Sequence, residues 1–176
     1  MGRSDGVTLL EAMFAMAIVA VLATLAVPAF ADLRLDAART ATVNEFFHAL
    51  FLARSEAVKR GQVVSLCRSS DGQRCSGGET PWTVGWIVFV NVDRDEPAIR
   101  DPSEPVLAAY EARPHVTITS NRVTYSFRPT VQGVVNGTIV FCDERGSAQA
   151  RAIIISHTGR PRVSKRDSSG RALRCP

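Results

Sequence analysis

Residues 6–31, GVTLLEAMFAMAIVAVLATLAVPAFA, decide the reading of this chain. From Ala12 to Ala31 there is no charge. As a helix these residues rise about 30 Å, the thickness of a bilayer's hydrocarbon core, so 7–31 reads as a transmembrane or filament-core helix. An export signal ends in a cleavage site that follows its apolar run. Here the order is reversed: a short polar stretch, Met1 to Gly6 with only Arg3 and Asp5 charged, comes first. Processing is therefore expected between Gly6 and Val7, which makes 1–6 a leader. Glu11 needs a physical reason, because a carboxylate in a membrane helix costs about 2.5–3.5 kcal/mol on insertion scales. A new amine at Val7 supplies one.

Outward from this segment, Leu33, Val43, Phe46, Phe47, Leu50, Ala53, Ala57 and Val58 form one apolar stripe. Asp32, Arg34, Asp36, Arg39, Glu45, Arg54 and Glu56 occupy the other face. Lys59 and Arg60 followed by Gly61 are a helix stop. Residues 32–61 are thus the amphipathic second half of one long helix, and Phe46, Phe47 and Phe51 are expected in the core. Strands are predicted at 63–67, 85–92, 106–110, 116–119, 124–127, 138–142 and 151–156. One helix followed by strands predicts an α+β fold, with an antiparallel sheet packed on the helix, and 62–176 as the head.

The pattern of Gly6, an apolar residue, Thr8, Leu9, Leu10 and Glu11 resembles the precursors of type IV pilins and pseudopilins, and Pro28 extends the resemblance. Val7 departs from the usual Phe. The resemblance implies a prepilin peptidase that cuts after Gly6 and N-methylates Val7. It further implies that Glu11 pairs with a neighbouring subunit's amine during assembly with other major and minor pilins. Trp82, Gly85 and the run from Trp86 to Asn91, then Asp93 and Asp95, resemble the FimT/GspH branch, as do Ile153, Ile154, Ile155, Thr158, Gly159 and Arg160. The implied location is the bacterial inner membrane, single-pass, with the head in the periplasm and the chain joining a pilus near its tip.

Charge is divided unevenly. Residues 1–144 hold 13 Lys/Arg against 16 Asp/Glu, whereas 145–176 hold eight cations against Asp167 alone. Such a basic tail points to phosphate. Gly159-Arg160-Pro161-Arg162 resembles the GRxR motif of the DNA-binding FimT branch of minor pilins. Arg160 and Arg162, two apart in an extended segment, share a face, and Pro161 stiffens the backbone between them. With Lys165, Arg166, Arg171 and Arg174 they are the candidate DNA-binding residues, and in the absence of a recognition helix the binding is expected to be sequence-independent. The alternatives are a solvated basic surface, a structural minor pilin, or a type II secretion pseudopilin without DNA affinity.

Four cysteines outside any CxxC pair fit an oxidising compartment. Of the three possible pairings, Cys67–Cys75 and Cys142–Cys175 are favoured, the first closing a polar loop and the second stapling the tail. His48, His115 and His157 are scattered, and Asp93, Asp95 and Glu96 lack the ligand alternation of a calcium loop. Neither catalysis nor a metal or other cofactor is expected.

Overall fold

The computed structural model describes residues 8–111, 113–130 and 136–176. Helix α1, Leu9–Arg60, opens with Thr8, whose Oγ1 accepts a hydrogen bond from the Glu11 backbone N–H at 3.3 Å. Thr8 is thus the N-cap and Glu11 the third helical residue of a Thr-x-x-Glu pattern, the arrangement that satisfies free N–H groups at a helix start. The helix ends at Gly61, whose φ of 66° only glycine adopts without cost.

Residues 1–37 and 38–176 are separate compact units. In the first, Leu9, Leu10, Met13, Phe14, Met16, Ile18, Val19, Val21 and Leu22 are all exposed, on a helix long and apolar enough to cross a membrane. In the second, α1 lies against two four-stranded antiparallel sheets. The first sheet has the order β3-β2-β1-β5, with β1 Val63–Arg68, β2 Gly85–Asn91, β3 Val106–Glu111 and β5 Thr124–Phe127. The second is β4-β6-β7-β8, with β4 Thr117–Ser120, β6 Gly137–Cys142, β7 Arg151–Ile155 and β8 Pro161–Ser164.

The sequence predicted one sheet where there are two. The strands predicted at 116–119 and 124–127 exist as β4 and β5, but they do not pair with each other: β4 pairs with β6 and β5 with β1. Partner choice across such distances leaves no mark on local periodicity. β8 lies outside the seven predicted strands, because Gly159 and Pro161 read as turn residues and Pro161 survives as the first residue of an edge strand.

The core is built from α1 residues Val43, Phe46, Ala49, Leu50, Ala53 and Ala57 and from the inner faces of both sheets. Phe46 sits at its centre, with ring centroids 4.9 Å from Trp86, 5.4 Å from Trp82 and 5.7 Å from Phe141. Four helix assignments need correction, the first being stripe residue Leu33, which is 62 % exposed. Val58 is 61 % exposed because it lies about 100° around the helix from buried Ala57. Phe51 is 48 % exposed rather than core. Arg39, assigned to the solvent face, is only 3 % exposed, and its Nη1 donates to Asp143 Oδ2 at 2.6 Å. Arg145 donates to the same carboxylate at 2.7 Å. A fully buried carboxylate held by two guanidiniums thus ties α1 to the end of β6.

Each sheet also has a covered outer face. On the first sheet Cys67, Ile87, Phe89 and Ala98 form a small cluster, closed by the Cys67–Cys75 disulfide. On the second, Cys142, Ala150, Ala152, Ile154 and Leu173 do the same, closed by Cys142–Cys175.

Candidate nucleic-acid interface

The basic segment folds as a hairpin and a stapled tail. β8 pairs antiparallel with β7, placing Arg162 opposite Ile154 and Val163 opposite Ile153. Paired residues of antiparallel strands share a face, so Arg162 lies on the outer face with Ile154, where Leu173 also packs. Between the strands, residues 156–160 form a tight loop. Ser156 N–H donates to the Arg160 carbonyl at 3.2 Å, Gly159 N–H to the Ser156 carbonyl at 2.8 Å, and Arg160 N–H to Ser156 Oγ at 3.3 Å. Gly159 is buried at φ 73°, a conformation that disfavours any Cβ. The glycine of the Gly-Arg-Pro-Arg run therefore shapes the turn, and the arginines remain for chemistry. Arg160 itself sits one residue outside β8.

The tail is ordered around Asp167. Its Oδ1 accepts the backbone N–H groups of Ser169 and Arg171, and its Oδ2 accepts from Arg171 Nε at 2.9 Å. The Arg171 backbone bond is the main reason the Asp167 carboxyl is held below its ordinary range. Arg166 Nη1 donates to the Gly170 carbonyl at 3.0 Å. Leu173 is buried, and Cys175 N–H donates to Ser147 Oγ.

This sorts the candidate residues. Arg166 and Arg171 are engaged in holding the tail. Arg160, Arg162, Lys165 and Arg174 are exposed and make no side-chain hydrogen bond or ion pair among the described residues. A free guanidinium at a fixed place on a strand edge is a ready two-pronged phosphate donor. Sequence reading missed one cation: Arg54, assigned only to the solvent face of α1, donates Nη1 to the Thr158 carbonyl at 3.1 Å and so joins the hairpin loop. A separation of 104 residues leaves no local signal for such a meeting.

Of the other candidates, Glu11 stands in the first turn of α1. Gly6 and Val7 lie outside the described residues, as does the ring of Pro28. Among the described residues no cluster of His, Cys, Asp or Glu is arranged to hold a metal. The acidic turn after β2 is internally occupied: Glu104 accepts the N–H groups of Val92 and Asp101, and Asn91 Nδ2 donates to Ser65 Oγ and the Asp95 carbonyl.

The head, with antiparallel sheets packed on the second half of α1, is similar in fold to the type IV minor pilin FimU of Pseudomonas aeruginosa. One crystal form of FimU superposes with a TM-score of 0.55 at 17 % identity, over 78 % of this chain and 99 % of FimU. A second gives 0.51 at 19 % identity, over 81 % and 96 %. No curated protein matches the chain in sequence. Residues 1–27 match the prokaryotic N-terminal methylation motif, and residues 42–159 match the family described as type II transport protein GspH. The chain belongs to the GspH family, as a minor pilin or pseudopilin of the GspH/FimT type, a class of structural proteins rather than enzymes. The family match ends at Gly159, one residue before the free cations begin.

Proposed function

We propose that this chain is a minor pilin that joins a pilus and binds DNA without sequence preference through its basic C-terminal edge, in natural transformation. Prepilin peptidase cuts between Gly6 and Val7 and methylates Val7, and residues 7–31 hold the protein in the bacterial inner membrane with its head in the periplasm. Glu11 then pairs with the amine of a neighbouring pilin. The single observation that carries DNA binding is the set of free, exposed cations Arg160, Arg162, Lys165 and Arg174 on and around β8. Phosphate contacts of this kind supply affinity, while base edges stay unread, since no helix near the basic edge is shaped to enter a groove among the described residues.

The test is binding of the full chain, in non-ionic detergent, to labelled duplex DNA of mixed sequence. Wild type is expected to bind, and Arg160→Ala with Arg162→Ala to lose most of that affinity while keeping its circular dichroism spectrum. Absence of binding by folded, oxidised wild type would favour a second reading, supported by the GspH match over 42–159: a type II secretion pseudopilin whose basic edge faces acidic groups of a neighbouring subunit.

A further inference from the structure

Each sheet has two edges, and the fold closes one edge of each. Beside β4, the Ile118 N–H donates to Thr83 Oγ1 at 2.8 Å, and β5 is buried from Tyr125 to Phe127. The other two edges are open. β3 pairs only with β2 and β8 only with β7, and among the described residues no other hydrogen bond reaches the backbone of either strand. An open edge offers its N–H and C=O groups to any strand that fits.

The two edges differ in charge. β8 carries Pro161 and Arg162, with Lys165 just beyond it. β3 is apolar from Val106 to Tyr110 and carries one irregularity, Leu107, which falls between the paired residues Val106 and Ala108. The regular run left, Ala108 to Glu111, ends in an exposed carboxylate with no side-chain hydrogen bond or ion pair among the described residues.

Their faces match in one antiparallel register. Ala109 and Glu111 stand opposite Ile87 and Gly85 on the outer face of the first sheet, while Tyr110 stacks on core Trp86 at 5.2 Å. On β8, Arg162 has the outer face and Val163, opposite core Ile153, has the inner one but stays 49 % exposed. Setting Glu111 against Arg162 therefore sets Tyr110 against Val163 and Ala109 against Ser164, each on its proper face. Opposite charges, and an aromatic with a β-branched residue, are the cross-strand pairs that stabilise a sheet.

We infer that β3 of one copy adds to β8 of a second copy in this register. Within one head the two strands belong to different sheets, so the partner is another chain. Each copy offers one edge of each kind, so the contact runs head to tail and repeats from copy to copy. It does not rest on the DNA reading, and it competes with DNA for Arg162.

The experiment mixes full-length Ala109→Cys and Ser164→Cys chains in phosphatidylcholine vesicles, oxidises them mildly and separates them on a non-reducing gel. Facing residues of antiparallel strands have Cα atoms about 4.5–5.5 Å apart, within reach of a disulfide, so pairs with one chain of each kind are expected. Val163→Cys in place of Ser164→Cys points to the other face and should give little. Adding Glu111→Arg to the first chain should lower the yield roughly two- to thirtyfold, and Arg162→Glu in the second should restore it. Should either cysteine variant melt below wild type, Glu111→Cys with Arg162→Cys reads the same register. No mixed pairs from folded chains, or equal yield through Val163→Cys, overturns the inference. Pairs formed only between two Ala109→Cys chains also overturn it, and assign β3 to a symmetric contact. DNA binding by wild type is measured separately and moves none of these bands.

Discussion

The outer faces of the two sheets are covered by the same device and to opposite electrical ends. Each cover is a loop or tail pinned by one disulfide over a small apolar cluster. Over the first sheet, residues 68–105 carry seven acids against four arginines, while over the second, residues 145–176 carry eight cations against one acid. In the first cover two arginines serve the fold, Arg68 donating to the Thr80 and Gly78 carbonyls and Arg100 to those of Gln73, Pro102 and Glu104, while Arg74 and Arg94 are exposed with no side-chain hydrogen bond or ion pair among the described residues. In the second, Arg166 and Arg171 do the same work, but Arg160, Arg162, Lys165 and Arg174 are left with no protein partner among the described residues. An arginine count alone thus says little about ligand binding. What distinguishes the covers is how many cations are left unbonded and how few acids lie among them: seven acids surround Arg74 and Arg94, and Asp167 alone accompanies the four in the tail.

The largest effect expected from testing this contrast is at Asp143, where the second cover is tied to α1. Asp143→Ala removes the buried carboxylate that Arg39 and Arg145 share and should cost about 3–5 kcal/mol in urea unfolding of the oxidised chain. The same group sets an acid limit. Its carboxyl is held below the ordinary value of 3.8, first by the Arg145 side-chain hydrogen bond, then by the Arg145 backbone bond and the charges of Arg145 and Arg39. A depressed carboxylate stabilises above the unfolded value and loses that contribution as pH falls through the native one. The thermal midpoint should therefore hold down to about pH 4 and fall below it. Asp143→Asn, less stable at neutrality, should fall less over the same acid range.

The two disulfides should differ next. In the chain-entropy treatment, Cys142→Ser with Cys175→Ser costs roughly 3.8 kcal/mol and Cys67→Ser with Cys75→Ser roughly 2.5 kcal/mol, because the first loop closed is longer. Paired thermal melts measure the difference, and only the first pair should also weaken DNA binding. Gly159→Ala should cost about 1–2 kcal/mol by forcing a Cβ into a left-handed turn, with a lower melting midpoint as the readout. Smallest of all, Arg160→Ala with Arg162→Ala should change stability by no more than about 0.5 kcal/mol, since neither side chain is bonded to the rest of the fold.

How far the sequence carried this picture varied with the range of the interaction. The helix from Leu9 to Arg60 and seven of the eight strands were legible, since apolar periodicity, Gly61 and the turn residues are local signals. The division into two sheets was not, because nothing near Thr117 or Thr124 records that one strand joins β6 and the other β1. Arg39 read as solvent-facing because the carboxylate that draws it inside is 104 residues away. Arg54 was hidden for the same reason. The cationic tail was plain from charge alone, but which of its arginines are free could be learned only from their hydrogen bonds.

The most direct test of the free-cation edge is the salt dependence of duplex DNA binding by wild type and by Arg160→Ala with Arg162→Ala. Every phosphate that a cation neutralises steepens the fall of log K with log salt by about 0.9, so the double variant should show a slope shallower by roughly 1.8. Identical slopes and affinities would contradict the assignment of these two arginines to phosphate, and would make β8 an edge that is merely charged.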